Sequence, residues 1–207
     1  FGDWMNDPEN ASKVVDENGE PLVVYHGTGS VFTEFDVEQS GKNFVGLGDY
    51  GFGIYLTQDP KYASKYAMGA KGTPNIIPAY LSMQNPLIVR KGSATKELER
   101  IAPHARTERE LSNYVKELGY DGIIVNDGIG DNLYVHEAVV FSPTQIKSAT
   151  GNSGAFDAGN PNVLYQEAPP VGSAEFKSLF ANTKVVDNQG TPLVMYHGTD
   201  IENIRVF

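Results

Sequence analysis

LVVYHGTGSVFTEF, residues 22–35, opens as a buried strand and then breaks off. Leu22 to Tyr25 are residues that fit a pleated, half-buried surface, which predicts a first strand over 22–25 that stops at His26-Gly27. The phrase returns near the other end of the chain. KVVDENGEPLVVYHGT begins at Lys13 and KVVDNQGTPLVMYHGT begins at Lys184, with twelve of sixteen positions identical. A repeat of that length marks a repeated structural unit, and it sets His197 where His26 stands. The second copy stops after its first strand. The expected organisation is therefore a domain over 1–150, an extended tail and linker over 151–172, and the truncated start of a second copy over 173–207. The tail is rich in Gly, Asn, Pro and Ala, with Phe156, Val163, Leu164 and Tyr165 as residues that can pin it. A chain that begins at Phe1 rather than Met reads as an excerpt of a longer protein.

Outward from residues 22–35 the elements alternate in no strict order. Residues 41–53 hold five glycines and read as a loop, followed by a short buried strand over 53–57. Asp59-Pro60 supplies an N-cap and a first-turn proline, predicting a helix through about Met68. Residues 76–83 and 87–89 read as strands on either side of Asn85-Pro86. Thr107 caps a helix through Leu118, with Glu108 and Glu110 at its positive end and Gly119 as its stop. Residues 122–125 and 133–141 complete the strands, and Gln145-Ile146 is expected to continue the last edge after Pro143. Short strands with two or three helices predict an α+β fold with a mostly antiparallel β-sheet core and a few flanking helices, a core that the resemblance given below implies is split.

Composition narrows the function. The chain of 207 residues carries 16 basic and 26 acidic residues, a net charge of −10. Such a surface repels phosphate backbones, so nucleic acid is an unfavoured partner. There is no Cys, which removes disulfides, thiol nucleophiles and thiolate-bound metal. His26, His104, His136 and His197 lack metal-ligand spacing, so no metal is expected. Apolar runs of four or five residues are too short to span a membrane. The glycine loop lacks the Lys-Ser/Thr of a phosphate loop, which argues against ATP or GTP.

Three phrases carry chemistry-bearing residues at strand positions. YHGT holds His26, YGFGIYLT holds Tyr55, and HEAVVFSPTQI opens with Glu137 before an apolar run. Singly, each has a plain reading: a turn histidine, a core tyrosine, a solvent-facing glutamate. Together and in this order they resemble the ADP-ribosyltransferases of the diphtheria-toxin and poly(ADP-ribose) polymerase type, which place a His, a Tyr and a Glu on three strands. GFGIYLT is similar to the polymerases' Gly-x-Gly-Ile-Tyr-Phe strand. Tyr66 follows Tyr55 at the spacing of the family's second stacking aromatic. The fuller resemblance is to the ADP-ribosyltransferase domains of phage and mobile-element polyvalent proteins, through YHGTG, GIYLT, NPLIV, VVFSPTQIKSATGNSGAFD and NPNVLYQ, over about residues 13–166.

That resemblance implies NAD as co-substrate and a catalytic set of Glu137, His26 and Tyr55. The nicotinamide pocket would begin at His26-Gly27-Thr28. Gly27 would hydrogen-bond the carboxamide, with its missing Cβ giving the ligand room, and His26 would bond the adenosine ribose. Tyr55 and Tyr66 would sandwich the ring. An ionised Glu137 would bond the ribose 2′-hydroxyl and favour positive charge at C1′. The family's carboxamide-binding serine falls at Ala63 here, leaving Ser64 as its neighbouring substitute. Arginine-modifying toxins carry Glu or Gln where this chain has Val135, which sets it apart from them. His136 should turn away from Glu137 by strand alternation. The implied activity is mono-ADP-ribosylation of a protein acceptor in the cytoplasm of a bacterial cell, delivered by phage or mobile element. The alternatives are NAD glycohydrolase and a non-catalytic, NAD-pocket-derived interaction module.

Overall fold

The computed structural model describes residues 11–40, 49–130, 132–150 and 161–162. All of them belong to the first of two units into which the chain divides, Phe1–Tyr165. The repeat from Lys184, and most of the expected tail, lie outside the described residues.

Two sheets form the core. β1 (Val24–Thr28), β3 (Asn75–Leu81) and β7 (Ile146–Ser148) make the first, in the order β1-β3-β7. The second holds β2 (Ile54–Leu56), β6 (Val135–Val140), β5 (Gly122–Asn126) and β4 (Pro86–Arg90), in the order β2-β6-β5-β4. Every pairing is antiparallel except β4 with β5. A parallel pair needs a crossover, and α2 (Ala94–Ile101) and α3 (Glu108–Glu117) supply it. α1 (Pro60–Gly69) lies against β1 and β3. This is an α+β fold with a mostly antiparallel, split sheet. The two sheets are joined by a bridge in which Tyr25 and Thr57 exchange backbone hydrogen bonds of 2.7 and 3.0 Å.

Each sheet has an apolar face because apolar residues alternate along its strands. Val24, Ala79, Leu81 and Ile146 of the first sheet meet Leu56, Ile124, Ala138 and Val140 of the second. The opposite face of the second sheet presents Val89, Ile123, Val125 and Val139 to Leu98 of α2 and Val115 of α3. β5 is buried along its whole length, as expected of a strand covered on both faces.

Three expectations are corrected. Strand one does not end at His26-Gly27. It runs on through Thr28, with His26 opposite Ile77, Gly27 opposite Ile76 and Thr28 opposite Asn75. Pairing to β3 overrides the weak local strand preference of glycine. Gln145-Ile146 does not prolong the edge of β6. Ser142 and Gln145 form a reciprocal capping box around a 3₁₀ turn at Pro143–Gln145. That turn carries the chain across to the other sheet, where Ile146 pairs with Leu81. Finally, α2 falls where no helix was expected. Ala94, Leu98 and Ile101 recur at helical spacing, with Ala94 and Leu98 buried, and the Ser93 hydroxyl bonds Glu97 at its start.

The remaining helices follow their caps. Asp59 accepts a 2.8 Å bond from the Lys61 N–H, and Thr107 accepts a 3.1 Å bond from the Glu110 N–H. Gly119 takes φ +89 after α3, a backbone conformation that favours glycine.

Candidate active site

Register brings the first two residues together. Tyr55 lies opposite Val139 on the β2–β6 pair, and Glu137 sits two residues before Val139, so both side chains share one face of the sheet. His26 reaches the same place from the other sheet. Its Nδ1–H donates to the Tyr55 carbonyl at 2.8 Å, which leaves Nε2 as an acceptor. Burial lowers the His26 pKa and the carbonyl bond opposes it only in part, so the ring is neutral near pH 7. Phe35 and Phe32 meet the imidazole edge-on at 4.9 and 6.3 Å, fixing its plane.

The tyrosines are tied to the same frame. Tyr55 donates its hydroxyl to the Gly51 carbonyl at 2.6 Å and accepts from the Tyr50 N–H at 3.3 Å. The phenol is thereby locked to the end of the glycine loop. Tyr66, on α1, donates to Glu137 Oε1 at 3.3 Å. The Tyr62 hydroxyl is 3.1 Å from that of Tyr66 and is left to donate to it, so Tyr62, Tyr66 and Glu137 form a chain.

Glu137 is 7 % exposed. Burial pushes its carboxyl up to about 7; Asp49 adds to this, while the Tyr66 bond and Lys91 act against it. An ionised carboxylate is the expectation from sequence; burial shifts this one toward its protonated form. Burial likewise raises the Tyr55 and Tyr66 phenols, which stay protonated.

His26, Gly27, Thr28, Tyr55, Tyr66 and Glu137 all line one cleft of about 590 Å³. Asp49, Tyr50 and Gly53, from the glycine stretch, line it too; residues 41–48 lie outside the described residues. Ser64 is not among the lining residues, whereas Ala63 is. Ser64 stands one position further round α1, off the surface where it was placed by expectation. Gly27 also has a different reason for being glycine. A Cβ there would come within 1.9 Å of the Ala63 carbonyl oxygen, so its small size lets α1 lie on β1. Ala63 and Ala67, both buried, serve the same contact.

Charge in the cleft is one-sided. Glu34, Asp36, Asp49 and Glu137 line it, and no Lys or Arg does so among the described residues. Such a lining favours a cationic guest group and gives a flat cation two aromatic rings to meet. Among the described residues no group of three or more His, Asp or Glu is placed to hold a metal. None of their helices is long and apolar enough to cross a membrane.

Sequence reasoning missed Tyr62, Asp49 and Tyr50. Tyr62 was legible as the residue one helical turn before Tyr66. Tyr50 opens the YGFGIYLT phrase without marking itself as a lining residue, Asp49 carries no motif, and only folding of the glycine stretch brings them in. His136 is the other correction. A register shift on β6 sets Val125 opposite Glu137 but Asn126 opposite Val135, making His136 the extra residue of a β-bulge. Its ring lies 5.1 Å from that of Tyr62 rather than on the far face. Val135 is fully buried, so no polar side chain occupies the position two before Glu137.

Comparison with known proteins adds one finding. A family model described as ADP-ribosyltransferase in polyvalent proteins matches residues 16–156. No curated protein matches the chain.

Proposed function

The chain belongs to the family of ADP-ribosyltransferases in polyvalent proteins, and from that premise we propose that it moves single ADP-ribose units from NAD to a protein acceptor, releasing nicotinamide. The observation that supports this best is the convergence of Glu137, Tyr55, Tyr66 and His26 on one cleft with acidic lining. NAD carries a cationic nicotinamide on ribose. Cleaving that bond generates positive charge on the sugar, as in glycoside cleavage.

Each residue then has a task. Tyr55 and Tyr66 flank the flat cationic ring, a contact worth about 1 kcal/mol each. Entry of the ring between them separates the Tyr66 hydroxyl from Glu137, and the cation beside Glu137 favours its ionised form. The carboxylate accepts from the ribose 2′-hydroxyl and stabilises the charge developing at C1′. His26, neutral and held by Tyr55, offers Nε2 to a hydroxyl of the adenosine ribose. Gly27 presents backbone groups to the carboxamide, and Thr28 continues that edge. Ser64 has no role in this account. The phrase repeated from Lys184 would open a second copy of the domain.

NAD labelled in the adenosine half tests the reading. Incubated with the full chain and a bacterial lysate, transfer gives label that stays with protein through denaturing separation. Label recovered only as free ADP-ribose makes the protein a glycohydrolase. No release of nicotinamide makes it a non-catalytic module.

A further inference from the structure

The β-bulge at His136 does something the cleft chemistry above does not use. Strict alternation would send the side chains of residues 136 and 137 to opposite faces. The bulge instead turns His136 toward Tyr62, with ring centroids 5.1 Å apart and planes 33° from each other. Tyr62 lines the cleft, and its hydroxyl leads through Tyr66 to Glu137. A bulge gives up regular ladder pairing, and such features cluster where a side chain must be re-aimed beside an active site.

The imidazole so placed is half-buried and uncommitted. Among the described residues neither of its ring nitrogens has a hydrogen-bond partner. Lys91, Asp127 and Asp59 are the charged groups that act on it, and Lys91 is itself paired with Asp127 at 2.8 Å. Burial lowers the His136 pKa, so the ring keeps a free lone pair at neutral pH. His136 does not itself line the cleft; it reaches it through Tyr62, and an acceptor that attacks beyond Glu137 on that side would meet the imidazole.

We propose that His136 is the acceptor-side base of this site and that the acceptor is a hydroxyl side chain on a protein. The proposal rests on the transferase reading given above. The acceptor oxygen forms a bond to C1′ as the C1′–N bond breaks. The electron pair of that bond leaves with nicotinamide, and the hydroxyl proton passes to the imidazole and then to solvent. The acceptor class follows by comparison of charge and lone pairs. A carboxylate acceptor needs no base and meets repulsion from Glu137 and Asp49, which line the cleft. An ammonium or guanidinium has no lone pair to attack with until it is deprotonated, and the position that could steer it is the buried Val135. A hydroxyl keeps its lone pairs and needs a base only as it attacks, which suits a neutral imidazole.

His136→Phe keeps a ring against Tyr62 and removes both nitrogens. With biotin-labelled NAD and a bacterial lysate as acceptor pool, this variant labels protein about 10²-fold more slowly at saturating NAD. Its KM for NAD stays within about two-fold, since NAD does not meet His136. His136→Gln, polar but not basic, shows the same loss. The label on wild-type product survives neutral hydroxylamine, because a glycosidic bond to a hydroxyl is stable there and an ester to a carboxyl is not. Labelling at the wild-type rate by either variant overturns the assignment of His136. Label removed by hydroxylamine overturns the hydroxyl acceptor. A wild-type chain that releases no nicotinamide overturns the transferase reading, and this proposal falls with it.

Discussion

At the residue scale the carboxyl of Glu137 decides most. Sequence made it legible because a lone acid opening an otherwise apolar strand has to be explained. What sequence could not give is its environment. Burial beneath Tyr66, and Asp49 arriving from the glycine stretch, hold its pKa at about 7 against an ordinary 4.5. The consequence for stability has a definite sign. Below about pH 4.5 folded and unfolded chains both hold the proton, and nothing is lost. As pH rises to about 7 the unfolded chain gives it up first, so the folded chain loses stability, and above 7 the loss is complete. Glu137→Gln mimics the protonated form and escapes this. Its advantage over wild type should be absent near pH 4 and reach about 1 kcal/mol or more by pH 8, or about 2–4 °C in Tm. Thermal melts across that range check it, and a variant less stable than wild type at pH 8 contradicts the account. His136 shows the opposite limit of legibility. Alternation is a sound rule for a regular strand, and a bulge is invisible to it.

Elements were legible where their ends are written in side chains. Asp59-Pro60 and Thr107 start α1 and α3 as read. The first strand was read too short because its last residues are held by β3, more than forty positions away, and not by their own preferences. β7 was put on the wrong sheet for a related reason: the capping box at Ser142 and Gln145 redirects the chain, and only the folded sheets show where it lands. α2 was overlooked although Ala94, Leu98 and Ile101 have helical spacing. The contact between α1 and β1 is the one that positions Tyr66 and Tyr62 over the cleft. It depends on Gly27 presenting no side chain to the Ala63 carbonyl, where a Cβ would stand at 1.9 Å. Gly27→Ala should therefore force α1 outward and cost about 1–3 kcal/mol. Urea unfolding measures this directly, and an unchanged midpoint would falsify the packing argument.

Over the whole described unit, two sheets meet at Tyr25–Thr57 and hold the cleft between β1, β2, β6 and α1. The mostly antiparallel α+β class was legible from strand lengths and caps, since neither depends on register; the split into two sheets was legible only through resemblance. The convergence of residues separated by more than a hundred positions was legible only through resemblance. The unit also reaches past residue 150: Asn162 bridges to Glu34, which lines the cleft, and accepts a hydrogen bond from the buried Lys147. Four lining carboxylates without a lining cation among the described residues make this a place for positive charge, and of the four Glu137 is the buried one. Nicotinamide release from NAD at pH 8, compared between the full chain and Glu137→Gln, tests that claim most directly. The account predicts release by the wild-type chain and a fall in kcat of about 10²–10³-fold in the variant, with NAD still bound. Equal rates in the two proteins would contradict it.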